Sequence, residues 1–334
     1  MEQLASGPSD CAIGPLVART SAKPLPELNQ TVVPPTISVI IPTYQRAHLV
    51  GGAIASVLMQ SYSNFELLVV DDGSSDGTAD VVASFTDERL RLVQVPHGGR
   101  SRARNEGAAR ARGEVIAFLD SDDRAQPDWL QELAPPFEGP AAVACCGARY
   151  VDDHQKPLTV MPSRLGGIFA NRTGCFLSGT FAVRRAVLET VGGYDARLAY
   201  GENSELAIRL VKYCDERALP FAAVYKPLVE LRRRRAVCGE AEFRAQLDAA
   251  EVILHRHGRN QVGDPSFAGN YRAIAAVNAY RLGLFRRGMR HFIGAATANP
   301  GRFVHWSRLA LALVPPVARR FWTRPAAVRE AGAG

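Results

Sequence analysis

Four short runs of apolar, often β-branched residues recur in the first third of the chain: "ISVIIP" (37–42), "FELLVVDD" (65–72), "RLRLVQV" (89–95) and "GEVIAFLD" (113–120). As a set they read as strands covered on both faces. Between them the spacing predicts helices over 47–60, 75–85 and 100–112, the last closed by Gly113 as a helix C-terminal glycine. Strands alternating with helices imply an α/β fold, a mostly parallel sheet with helices on both faces. In such sheets ligands bind beyond the carboxyl ends of the strands, where strand order reverses. The polar clusters fall at those ends: Thr43-Tyr44-Gln45-Arg46 after the first run, Asp71–Gly77 after the second and Asp120–Asp123 after the fourth.

Upstream, residues 1–36 are proline-rich without sustained periodicity and read as a leader ending at Pro34-Pro35. From about 141 the pattern loosens through "AAVACCGARYVDD" and a Gly-containing stretch (163–180). A helix is expected from about 202 to 217, and beyond 240 the chain reads as helical and rich in arginine.

Composition narrows the class. A chain of 334 residues, 47% hydrophobic and 22% charged, suits a globule with a sizeable core. Six cysteines without a CxxC pair suggest neither a zinc site nor a disulfide framework, which fits a reducing cytoplasm. Neither a run of 18 apolar residues nor a basic-then-apolar N-terminus is present, so membrane spanning and secretion are not expected. Charge is uneven: residues 232–334 carry 18 Arg against 6 Asp/Glu in a chain of net charge +7. Such an end calls for an anionic partner. No helix-turn-helix, zinc finger or aromatic-studded RNA-binding strand accompanies it, so nucleic acid is not expected. A phospholipid surface or a phosphate-bearing substrate fits better.

The chemistry gathers at the strand ends. A carboxylate buried at the end of an apolar strand costs several kcal/mol unless paired or bound to a cation. Asp120 and Asp122 lie on the same side of an extended chain, and a hard divalent cation, Mg²⁺ or Mn²⁺, would satisfy them while taking its other oxygens from a phosphate. The plainer alternative is an acidic turn. "VVDDGSSDGT" (69–78) can equally be a turn and helix cap, or Asp71 and Asp72 can bond a ribose or base edge. "HGGRSRARNEGAARARG" (97–113) resembles an anion cradle, because helix N-terminal N–H groups and guanidinium groups both favour phosphate. It matches neither a P-loop nor a dinucleotide GxGxxG motif.

Taken in order, "SVIIPTYQR" (38–46), "FELLVVDDGSSDGT" (65–78), "GGRSRARNEGAARARGEVIAFLDSDD" (98–123), "QPDWL" (126–130) and "SGTFAVRRAVLETVGGYDARLAYGENSELAIRL" (178–210) resemble the family 2 glycosyltransferases, the inverting group with the GT-A fold. The resemblance covers roughly residues 36–235. It implies a nucleotide-diphosphate sugar donor, most simply a UDP-sugar, and a DxD-type metal site. It also implies direct displacement by a hydroxyl of a glycan or lipid-linked acceptor. Pro42, Thr43, Tyr44, Arg46, Asp71, Asp72, Arg104, Asp120 and Ser121 would bind the nucleotide-sugar. Asp120 and Asp122 would hold the metal, with Asp123 as helper. The implied division is a leader (1–36), a GT-A domain (37–235, nucleotide-sugar half 37–125 and acceptor half 126–235) and a basic helical extension (236–334).

Inverting transfer needs a carboxylate to accept the acceptor's proton. Where the family places Glu-Asp, this chain reads Gly201-Glu202-Asn203-Ser204-Glu205, and the amide of Asn203 cannot serve. Glu202 or Glu205 is then the base, and Glu202 is favoured because Glu205 has an i,i+4 partner in Arg209. The absence of the usual acid also keeps a non-catalytic sugar-nucleotide or glycan-binding relative in play. "LRRRRA" (231–236) reads either as a donor-phosphate contact or as a solvated basic loop. The stretch "FVHWSRLALALVPPVARRFWTR" (303–324) reads either as a plain helical cap or as a segment lying on an anionic membrane, which would place the protein at the inner face of the cell membrane. Pro315-Pro316 must interrupt any helix there.

Overall fold

The computed structural model describes residues 37–151, 158–165, 169, 171–232, 239–258 and 265–323. The expected leader 1–36, Arg233–Arg235, Cys11 and Cys238 lie outside the described residues. β1 (Ile37–Thr43), α1 (Ala47–Leu58), β2 (Phe65–Asp71), α2 (Thr78–Ala83), β3 (Leu90–Gln94), α3 (Arg100–Arg110) and β4 (Val115–Phe118) alternate as the apolar pattern predicts. There follow β5 (Arg124–Ala125), α4 (Trp129–Leu133), β6 (Val143–Val151), β7 (Leu158–Val160), β8 (Ser163–Arg164), β9 (Thr173–Gly174), β10 (Phe181–Arg184), α5 (Arg185–Thr190), α6 (Glu202–Glu216) and β11 (Phe221–Arg232). Five helices close the described chain: α7 (Glu240–His257), α8 (Pro265–Arg281), α9 (Phe285–Ala298), α10 (Phe303–Ala312) and α11 (Pro315–Thr323). Pro315 and Pro316 open α11, where a missing N–H costs nothing.

The main sheet runs β3-β2-β1-β4-β10-β6-β11-β5, with β7 added on β6. β1 pairs in parallel with β2 (Ile37 opposite Phe65) and with β4 (Ile37 opposite Val115). The second half departs from the parallel expectation: β10 is antiparallel to both β4 and β6, and β11 returns parallel to β6. Strand order reverses across β1 and β4, and their carboxyl ends border one crevice.

Side chains alternate across the pleat and fill two cores. Val39, Ile41, Leu67, Val69 and Ala117 pack with Ile54 of α1 and Trp129 of α4 on one face. Ile40, Leu68, Val70, Ile116 and Phe118 pack with Ala103 of α3 and Leu206 and Leu210 of α6 on the other. A separate cluster of Ala276, Tyr280, Phe292, Ala312, Ala318 and Trp322 holds the C-terminal helices. Among the described residues, no helix is long and apolar enough to cross a membrane.

Gly113 is not the C-cap of α3. The helix ends at Arg110 and Ala111 is already extended. Glu66 captures the Arg112 backbone N–H at 2.5 Å and its Nε at 2.9 Å, while the Ser38 hydroxyl accepts from Gly113 N at 2.9 Å. These longer-range bonds unwind the last turn.

Candidate active site

The ends of β1, β2 and β4, the N-terminus of α3 and the loop 196–199 enclose a cavity of about 640 Å³. β1 delivers Pro42 and Thr43, followed by Tyr44 and Arg46; β4 runs on into Asp120, Ser121 and Asp122. The Thr43 hydroxyl is buried on this wall without a protein partner among the described residues. Buried hydroxyls rarely stay unsatisfied, so a ligand or water is expected to meet it.

Asp72 lines the cavity, and its carboxylate is already engaged. One oxygen accepts from Gly98 N and the other from Gly99 N, both at 2.8 Å, and His97 Nδ1 lies 2.9 Å from the second. Asp72 therefore folds the glycine pair ahead of α3 and seats His97, whose ring stacks on Tyr44 with centroids 4.1 Å apart. This aromatic pair forms a half-exposed platform on the cavity wall. Arg46, Arg100 and Arg197 border the same cavity, as does the positive end of α3. Asp76, the ambiguous acid of the second loop, is a cap: it accepts from Ala47 N at 3.1 Å and from Thr78 N at 3.2 Å.

Asp120 and Asp122 line the same cavity, and Asp123 is buried beside them. Ligand oxygens of Asp120, Asp122 and Asp123 lie within 4.8 Å of one another. Asp120 Oδ1 accepts from Arg104 at 2.7 Å and from Ser178 Oγ at 2.8 Å. Burial pushes the Asp120 carboxyl up, but the Arg104 charge and hydrogen bond outweigh it and hold it below the usual range. Asp122 is raised by burial and by the charge of Asp120. Burial, then Asp120, pushes Asp123 up to about 8, against the bond it accepts from Arg232 N. Three crowded carboxylates that resist joint ionisation, all offering oxygen, are a donor set suited to a hard divalent cation.

Ser178 reaches Asp120 because its loop is pinned. Trp129, fully buried, donates from Nε1 to the Gly179 carbonyl at 2.9 Å. Gly179 has φ +78°, and a Cβ there would lie 2.9 Å from Val229, so only glycine fits the turn.

Several residues read as ligand contacts stand elsewhere. Asp71 is buried and accepts from Ser74 N at 3.1 Å, shaping the loop after β2 and not lining the cavity. Arg104 lies behind the wall, tied to Asp120 and to Glu202 Oε1 at 3.0 Å. Glu202 is buried one layer behind Arg100, whose guanidinium is 3.7 Å away. Asn203 accepts from the Tyr194 hydroxyl at 2.9 Å. Glu205 does not share the surroundings of Glu202, because it meets side chains of α7 while Glu202 meets Arg104. There it is fully buried among Arg209, Arg256 and His257. Burial alone would raise it, but these partners hold it down at about 2. No acceptor hydroxyl can approach it in this arrangement.

His97, Ser178 and the wall at 196–199 were missed by the sequence reading. His97 stood beside the paired glycines, and its aromatic, titratable ring before a helix N-terminus was a usable signal. Ser178 and Ala196–Ala199 arrive through tertiary packing and leave no local mark.

Known proteins share segments of this sequence and its fold. Residues 38–192 match the family model described as Glycosyl transferase family 2. Over 88 residues the chain is 47% identical to UDP-Glc:alpha-D-GlcNAc-diphosphoundecaprenol beta-1,3-glucosyltransferase WfgD of Escherichia coli, a match covering 26% of this chain and 35% of that one. The chain spans only 33–40% of the length of the first curated relatives it matches. The fold is shared with S. aureus TarS 1–349 in complex with UDP-GlcNAc (TM-score 0.60, 18% identity, 89% and 92% of the two chains). It is also shared with the mannosyltransferase PcManGT from Pyrobaculum calidifontis, solved with GDP-Man and Mn2+ (TM-score 0.53, 19% identity, 90% and 88%).

Proposed function

We propose, from the match of residues 38–192 to the model of glycosyl transferase family 2, that the protein moves a sugar from a UDP-sugar to a hydroxyl of a glycan or lipid-linked acceptor, with inversion at the anomeric carbon. The observation that carries this reading is that Asp120 and Asp122, with Asp123 buried beside them, line one cavity together with the α3 N-terminus and the Tyr44–His97 platform. That layout suits a nucleoside diphosphate: an aromatic surface for the base, helix N–H groups and arginines for the phosphates, and hard oxygen ligands for their cation. The names of the E. coli relative and of the TarS complex support a UDP-linked donor.

Mg²⁺ or Mn²⁺ held by Asp120 and Asp122, with Asp123 behind them, would neutralise the leaving diphosphate. Arg104 and Ser178 orient Asp120 for this task, and Asp72 shapes the loop before α3. Of the acids at the start of α6, Glu202 is the one beside the cavity wall, and we assign it the acceptor proton. Glu202→Gln should then abolish transfer while sparing donor affinity.

A second reading, a non-catalytic sugar-nucleotide binder, is favoured by two contacts: Asn203 is engaged by Tyr194, and Glu202 is held by Arg104. One experiment separates the two. UDP-, GDP- and dTDP-sugars are screened with and without Mn²⁺ by thermal shift, and nucleotide release is then followed with the donor that stabilises. The transferase reading expects a metal-dependent shift with a UDP-sugar, lost in Asp122→Asn, together with slow metal-dependent UDP release. Stabilisation without any release, even with acceptor extracts, would establish the binder.

A further inference from the structure

α10 and α11 bury one side and leave the other uncovered. His305, Ala312, Ala318 and Trp322 face the helical core. On the opposite side Phe303 is 81% exposed, Leu313 70%, Phe321 47% and Trp306 44%, with Val314 and Val317 also exposed between them. Phe303 and Trp306 lie three apart on α10 and Val317 and Phe321 four apart on α11, so each helix presents an apolar stripe, and Leu313 and Val314 are exposed at the junction between them. Large apolar side chains gathered this way on a surface mark an interaction site.

Charge decides the occupant. Residues 265–329 contain eleven arginines and no Asp or Glu. Arg302 and Arg320 are exposed and Arg308 is half-buried, all three within the two-helix segment. A second copy docked face to face would set these arginines against one another. A partner with an apolar interior and an anionic rim has the complementary chemistry, and Trp306 and the arginines are the residue types that settle at that boundary.

We propose that the α10–α11 stripe is a docking surface for an anionic phospholipid bilayer, lying in the headgroup zone with Phe303, Trp306, Leu313 and Phe321 inserted. This goes beyond the transfer reading and does not rest on it, because vesicles bind or fail to bind whatever the cavity does with a donor.

The chain supplies its own probe. It has three tryptophans; Trp129 and Trp322 are buried, which leaves Trp306 as the exposed one. Full-length protein is titrated with phosphatidylglycerol/phosphatidylcholine vesicles and with phosphatidylcholine vesicles alone. Emission should shift to the blue only with the anionic vesicles, the shift should vanish in Trp306→Phe, and brominated lipid should quench it. Co-sedimentation with the same vesicles should weaken at least about tenfold in Phe303→Ser/Leu313→Ser/Phe321→Ser, and should fall with added salt. If that variant does not fold, Arg302→Gln/Arg320→Gln replaces it with the same expected loss. No sedimentation of the wild-type protein with anionic vesicles would overturn the proposal. So would equal binding to neutral vesicles, or a lipid-free blue shift that grows with protein concentration, which would mark the stripe as a contact between copies.

Discussion

Arg104 is 1% exposed, donates to Asp120 and Glu202 together, and carries the Tyr194 ring 5.0 Å from its guanidinium carbon. Removing one partner from a buried ion network costs about 3–5 kcal/mol, because the opposite charges stay buried and unpaired. Arg104→Met should therefore lower the unfolding free energy by that amount in denaturant titrations and weaken Mn²⁺ binding. Arg104→Lys should fall between, since a single ammonium cannot bridge two carboxylates as a planar fork does. Unchanged stability in Arg104→Met would show that Asp120 and Glu202 are satisfied by other means. Glu205 gives the pH counterpart. Its carboxyl is held at about 2 against an ordinary value of 4.5. A depressed acid stabilises the fold fully above its unfolded value, and that contribution fades as pH falls from about 4.5 toward 2. For a shift of this size the contribution is about 3 kcal/mol. Glu205→Gln should thus be destabilised at pH 7, with its deficit relative to wild type shrinking steadily through that acid window in urea titrations. A deficit independent of pH would point to packing.

At the scale of elements, α3 is placed by one small residue. A Cβ on Gly107 would lie 2.5 Å from Ile40 Cγ2 and 3.0 Å from Val70 Cγ2, so the helix lies directly on β1 and β2. Alanine normally stabilises a helix interior relative to glycine, yet here overpacking should dominate and Gly107→Ala should cost about 1–3 kcal/mol. A rise in melting temperature would contradict the tight packing. Much of this layer was legible from apolar patterning: β1, β2, β3, β4 and α3 fall within a few residues of where the pattern put them, and the polar clusters do meet at one crevice. What stayed hidden depends on partners far along the chain. The last turn of α3 is undone by Glu66 and Ser38, and Asp72 spends both oxygens on Gly98 and Gly99, contacts for which local spacing carries no signal. The i,i+4 spacing reveals Glu205's neighbour Arg209, but the residues that complete its burial, Arg256 and His257, come 51 and 52 positions later. The mixed order β10-β6-β11 was equally invisible, because short apolar runs do not declare their direction.

Across the whole molecule the C-terminal helices pack as part of the α/β region that carries the cavity. Ile208 of α6 packs with Ile253 of α7 and Phe267 of α8, and Arg256 of α7 reaches both Glu205 and Asp195. Truncation after residue 238 should expose this apolar contact and strip Glu205 of two of its partners. The shortened chain is expected to aggregate or to melt well below the full protein in scanning calorimetry, and an equally stable truncated form would refute that dependence. Asp195 also links α7 to the cavity. It is shared between Arg256 and Arg197, with Arg197 bonding it at 2.9 and 3.0 Å while also lining the cavity. An anion that draws Arg197 inward must compete with Asp195 and so alters its hold on α7. Thermodynamic reciprocity then requires that whatever tightens or loosens α7 change the affinity for that anion by the same factor.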